Sequence, residues 1–216
     1  IDTYAKDEEQ KKKLFNAVNE FPAIKEKADW ALKWIFGKNI PYAHRLFAFA
    51  IVEGVFFSAS FCAIFWLRKR GLLPGLSFAN QMISRDETVH TDFSCLIYNK
   101  LVNRYTKEQA HSIMNEAVDI EMRFITESIP CSMIGMNQTM MMEYIKFIAD
   151  RILVQLGYEK LYNAKQPFDF IEQSTMESKT NFFEGRNSSY SLSSVSTVHG
   201  KSSIPSELSL NMNDDF

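Results

Sequence analysis

Apolar residues recur every three to four positions through most of the first 170 residues, the spacing of amphipathic helices. Residues 7–20 form a charged helix with Asp7 as its cap, and Pro22 opens a second that ends near Gly37. Pro41 precedes a long helix over 42–70, which Gly71 stops. The turn Leu73-Pro74-Gly75 leads into a helix over 76–103. Thr106-Lys107-Glu108-Gln109 has the form of a capping box and opens a helix that runs to Ile129, where Pro130 breaks it. Gly135 and Asn137 precede a helix over 138–156, closed by Gly157, and a short helix over 158–163 follows. No segment alternates as a strand and no repeat is present. The expected fold class is all-α.

One stretch is unusually apolar. Residues 46–67 are 22 residues with a single charge, Glu53, flanked by Arg45 and by Arg68-Lys69-Arg70. About 20 apolar residues span a bilayer, but a carboxylate inside one costs roughly 2.5–3.5 kcal/mol. A helix buried on all sides of a large bundle gives the same pattern. No second comparable span follows, so the bundle reading is preferred and no membrane is expected.

The character changes near residue 171. Residues 188–209 hold ten serines and no sustained apolar period, the composition of a flexible tail. The chain ends in an acidic and apolar cluster, Leu208 to Phe216, suited to docking in a partner's groove or to no role at all. The expected organisation is a helical unit over 1–170 and a tail over 171–216.

Composition fits a water-soluble globule: 46% hydrophobic, 23% charged and a net charge of −2, with no basic excess to attract nucleic acid. Cys62, Cys95 and Cys131 are odd in number and far apart, which suits buried free thiols in a reducing cytoplasm. The first residue is Ile1, with no signal-peptide pattern after it, which suggests a fragment or a processed chain.

The chemistry concentrates in Ser84-Arg85-Asp86-Glu87-Thr88-Val89-His90. Glu87 and His90 are three apart on a helix, so both leave one face. A carboxylate plus an imidazole is the ligand unit that half of a ferritin-like di-iron site uses. Alone, such a pair is more often a surface acid beside a satisfied histidine. Glu53 shifts the balance, because an unpaired buried carboxylate needs a metal, a cation or a proton. A half-site takes one Glu from one helix and Glu-x-x-His from its neighbour, and Glu53, Glu87 and His90 are that set. Asp86, four residues before His90, could accept the ring N–H of a metal-bound histidine or could simply pair with Arg85. Phe57 and Phe61 could wall a dry pocket beside the metal or be ordinary core. His44, His111 and His199 lack ligand spacing and are expected at the surface. No phosphate loop, Cys-x-x-Cys pair or nucleophile elbow occurs.

Several long motifs carry a resemblance. They are Val52-Glu53-Gly54-Val55-Phe56-Phe57-Ser58, Phe65-Trp66-Leu67-Arg68-Lys69-Arg70-Gly71-Leu72-Leu73-Pro74-Gly75-Leu76 and Ile83-Ser84-Arg85-Asp86-Glu87-Thr88-Val89-His90. Shorter ones are Lys27-Ala28-Asp29-Trp30-Ala31-Leu32, Ile134-Gly135-Met136-Asn137 and Lys179-Thr180-Asn181-Phe182-Phe183-Glu184. Over residues 1 to about 186, and again at the end, the chain resembles the small subunit of class I, eukaryotic-type ribonucleotide reductase. The resemblance implies part of a ferritin-like helical bundle and a radical-generating role in reducing ribonucleotides to deoxyribonucleotides. It implies Glu53, Glu87 and His90 as ligands of a centre of two iron ions, with manganese as the alternative metal. Phe57 and Phe61 would line the pocket. Asp86 and Tyr190 would carry radical transfer, although the sequence around Tyr190 departs from the family. Asp214, Asp215 and Phe216 would dock on the large subunit, and the small subunit would dimerise in the cytoplasm. The remaining ligands and the radical tyrosine would lie upstream of Ile1. Two other readings are a non-catalytic partner subunit of the same family and a membrane di-iron oxidase.

Overall fold

The structure is a computed structural model that describes residues 5–128 and 135–171. Tyr190, Asp214, Asp215 and Phe216, with Cys131 and His199, lie outside the described residues. The described elements are α1 (Glu8–Phe15), α2 (Ala17–Glu20), α3 (Pro22–Phe36), α4 (Tyr42–Ile51), a π-helical turn (Val52–Phe56), α5 (Ser58–Lys69), α6 (Pro74–Asn99), α7 (Lys107–Ser128) and α8 (Gln138–Gln155). No β-strand occurs among them.

Local signals act as expected at most ends. Asp7 Oδ1 accepts from the Gln10 backbone N–H at 2.7 Å. Thr106 and Gln109 close the capping box in both directions, Thr106 N–H to Gln109 Oε1 at 3.0 Å and Gln109 N–H to Thr106 Oγ1 at 3.3 Å. Asn137 Oδ1 caps α8 through Met140 N–H at 2.9 Å. Gly71 and Gly157 take φ of +68° and +87°, which ends the preceding helices at little steric cost.

Four expectations need correcting. The helix over 7–20 is interrupted at Asn16, whose side chain bonds Asn19 and Glu20. Such side chains compete with the helical backbone. The helix over 76–103 is displaced to 74–99: Pro74 fills its first turn, and Asn99 turns aside to bind the Gln155 carbonyl at 2.7 Å. No helix forms over 158–163. Instead the buried Asp150 carboxylate collects the backbone N–H groups of Leu161, Tyr162 and Ala164 at 2.8, 2.9 and 2.9 Å. That trio of bonds holds the segment in an open loop. Finally, the helix over 42–70 is not uniformly α. It widens into the π turn at Val52–Phe56 and resumes after Phe57.

The apolar run Tyr42–Lys69 is long and apolar enough to cross a membrane by length and composition, and half of its most apolar stretch is buried. Its neighbours account for that burial. α4 packs on α3 and α6, α5 on α6 and α8, and the π turn touches α6, α7 and α8. Phe47, Ala50, Ile51, Val55, Ala59 and Cys62 have no exposed surface. α7 presents Ala110, Met114, Ala117, Val118 and Ile125 to the same core, and α8 adds Met141, Ile145, Ala149 and Ile152. Cys62 and Cys95 are free and buried, as expected for thiols used as small apolar groups.

The π turn is wedged tightly. A Cβ on Gly54 would lie 2.3 Å from Ile152 Cδ1 and 3.1 Å from Thr91 Cγ2. Both neighbours are buried, so neither can move freely. Gly54→Ala is therefore expected to lower stability by about 1–3 kcal/mol, the usual range for overpacking. Urea denaturation would show the midpoint falling.

Candidate metal centre

Glu53 projects from the π turn and Glu87 and His90 from the middle of α6, where spacing of three puts both on one face. The π turn packs on α6, and the three side chains meet where they touch. His90 Nδ1 donates to Glu87 Oε2 at 2.9 Å and lies 3.7 Å from Glu53 Oε2. One donor atom from each of the three residues falls within 4.8 Å of the others. The side chains grade outward, from 13% exposed for Glu53 to 21% for Glu87 and 54% for His90. Thr91 Oγ1 and Ser94 Oγ donate to the carbonyls of Glu87 and His90 at 2.9 and 2.6 Å. Those extra bonds tie the backbone of both ligand residues to the next turn of α6.

The three groups are electrostatically coupled. Burial pushes the Glu53 carboxyl up to about 7, and its bond to Glu87 adds to the rise. Glu87 is lowered, first by accepting from Glu53 and then by His90. His90 is raised, chiefly by its bond to Glu87. Two acids and an imidazole thus share protons at one point. Carboxylate oxygen and imidazole nitrogen suit iron, manganese or zinc. The residues fit a metal.

This predicts a pH dependence for metal loading. Above about pH 7 Glu53 is ionised and an entering ion displaces no proton from it. Below that value the ion must displace one, so affinity falls by up to about tenfold per unit of pH. The raised His90 acts in the same direction. Cobalt(II) titrations at pH 6 and pH 8 should show tighter binding at the higher pH.

The other expected site residues divide. Phe57 sits just after the π turn, 39% exposed, with its ring 6.2 Å from the half-buried Phe61 ring. The two rings touch each other, and Phe57 is open to solvent. Asp86 is exposed and does not engage His90, whose ring turns to Glu87 and Glu53 instead. Two histidines expected at the surface are half-buried: His44 stacks on Tyr105 with centroids 3.8 Å apart, and His111 Nε2 bonds the Glu159 carbonyl at 2.9 Å. Burial lowers the His44 pKa.

Sequence reasoning missed an ion pair directly behind the site. Lys27 Nζ lies 2.6 Å from Glu121 Oε2 and donates to the Phe56 carbonyl at 2.6 Å. Glu121 has no exposed surface. Like Glu53, it is an acid in an apolar stripe: Ala117, Glu121 and Ile125 share the buried side of α7, and that pattern could have marked it. Lys27 likewise follows Ala23 and precedes Trp30 on the buried stripe of α3.

A helical bundle with one Glu on its π turn and Glu-x-x-His on the neighbouring helix has the ferritin-like class of fold and a Glu/His group able to hold a metal ion. Residues 1–167 match the family described as ribonucleotide reductase, small chain. The human ribonucleoside-diphosphate reductase subunit M2 is 49% identical over 216 residues, covering 100% of this chain and 54% of its own length. The small chain of Spisula solidissima is 54% identical over 190 residues, 88% of this chain and 50% of its own. Among solved structures, the ribonucleotide reductase Rnr4 homodimer of Saccharomyces cerevisiae matches at 38% identity with a TM-score of 0.64, over 72% of this chain and 51% of that one. The chain belongs to the ribonucleotide reductase small-chain family. It spans about half the length of the curated relatives it matches.

Proposed function

We propose that this chain is the part of a ribonucleoside-diphosphate reductase small subunit that holds one side of its metal centre. The observation that carries the reading is the convergence of Glu53, Glu87 and His90 within 4.8 Å on an open face, in a chain of this family. Glu53 and Glu87 would bind through carboxylate oxygens and His90 through Nδ1, the atom that already faces both acids. Three donors are half of what a two-metal carboxylate site uses. The 54% exposure of His90 leaves room for the others. When bound, two iron ions, or manganese in their place, would supply the oxidising power that generates a radical for ribonucleotide reduction.

The chain's own residues would then orient the metals and pass the radical outward, with Phe57 and Phe61 lining the pocket. Asp86, exposed on α6 beside the ligands, is open to a residue contributed from outside the described ones. Tyr190 would continue that route in the tail over 171–216, and Asp214, Asp215 and Phe216 would dock on the large subunit. The helical unit over 1–170 would dimerise, as the yeast Rnr4 homodimer does. A cytoplasmic location suits the two buried free thiols.

The test is to express the chain joined to the upstream half of a relative. Iron analysis and electron paramagnetic resonance should find two irons per chain and a tyrosyl radical. A product that stays metal-free under aerobic iron loading would remove the reading. The intact Glu53, Glu87 and His90 set favours it over a non-catalytic partner subunit, which has no need of three converging donors.

A further inference from the structure

We propose that Lys27 is a positioning residue for the metal centre: by binding the Phe56 carbonyl from α3 it holds the π turn that aims Glu53 at Glu87 and His90. The inference rests on the metal-site reading above. A π turn carries one residue more than an α turn. Closing it to α geometry would shift Glu53 against the rest of the helix by one residue, about 100° around the axis. Glu53 would then leave the α6 face. Something must therefore favour the wide turn over the α-helix that this apolar sequence would otherwise form.

Two side-chain donors sit on its carbonyls. Ser58 Oγ donates to the Val55 carbonyl at 2.7 Å. Lys27 Nζ donates to the Phe56 carbonyl at 2.6 Å, across 29 residues of sequence. Ser58 is local and would follow the turn wherever it went. Lys27 is anchored independently of the turn: its Nζ lies 2.6 Å from Glu121 Oε2 on α7 and 3.7 Å from the centroid of the Phe124 ring. The fully buried Glu121 carboxylate has Lys27 as its charged partner. A buried ion pair is a poor source of stability compared with apolar residues of the same size. Lys27 turns another of its three N–H donors to the π turn.

Replacing Lys27 alone would leave the buried Glu121 carboxyl without its cationic partner and destabilise the chain for unrelated reasons. The informative variant is K27M/E121M, which replaces the pair by apolar side chains while withdrawing the donor from Phe56. Amide hydrogen exchange and cobalt(II) binding are compared with the unaltered chain. The expected result is an unfolding midpoint equal to or above the original, at least tenfold faster exchange over residues 52–61 with α8 unchanged, and cobalt affinity reduced at least tenfold. Exchange over 52–61 that stays at the original rate would overturn the proposal, whatever cobalt does. Cobalt affinity unchanged despite faster exchange would also overturn it. If the unaltered chain binds no cobalt, the metal-site reading fails by itself, and the exchange rates alone decide whether Lys27 holds the turn.

Discussion

Cobalt(II) added to this chain will bind at Glu53, Glu87 and His90, and E53Q/H90A will bind it at least 100-fold more weakly. Removing an outer partner of a metal ligand costs roughly 10–100-fold in affinity, and this double variant removes two of three ligands outright. E53Q keeps the shape of the side chain and deletes the charge. H90A deletes the only nitrogen donor of the cluster. Visible absorbance of the cobalt complex gives both affinity and ligand type. Stability should rise or hold in the same variant, because E53Q removes a carboxylate whose protonation is already favoured by burial. Loss of metal with retention of fold separates a metal site from a structural acid–imidazole cluster. Equal cobalt affinity in the original and the variant would dismiss the site.

That result would bear directly on how far the site is legible in the sequence. Glu53 was legible because a lone acid in an apolar helix has no inexpensive explanation. Glu87 and His90 were legible because a spacing of three on a helix fixes a common face. Neither rule could reveal how Glu53 is aimed. A π turn has no residue signature of its own. It arises from packing, here the contact of Gly54 with Ile152 and Thr91 and the reach of Lys27 from another helix. The same boundary separates the caps at Asp7 and Thr106 from the short helix expected over 158–163, which does not form. Caps are settled within four residues, whereas the loop after α8 is settled by a carboxylate 11 to 14 residues back. Asp86 marks another limit. Helical spacing allowed a bond to His90, but the ring has nearer acids in Glu53 and Glu87 and turns to them.

Asp150→Ala will destabilise the chain by about 3 kcal/mol or more, the largest effect of any single substitution away from the core apolar groups and the buried ion pair. Asp150 is 1% exposed and accepts three backbone N–H groups within 2.9 Å. Hydrogen bonds to a charged group contribute roughly 1.5–3 kcal/mol each, and a buried donor left without a partner costs about 1–3 kcal/mol. The three bonds share one acceptor, so their losses overlap and the sum is an upper bound. The damage would be local and specific. The loop at 158–164 brings Tyr158 to Tyr98 at 2.8 Å and to the Tyr105 carbonyl at 2.8 Å. Those contacts close the end of the core around Phe47. Asp150→Asn keeps the shape and an acceptor oxygen but not the charge, so it should lose less than the alanine variant. Urea denaturation measures both. An alanine variant within about 1 kcal/mol of the original, less than one such bond contributes, would mean that the loop is held by its tyrosines and not by the carboxylate beneath it.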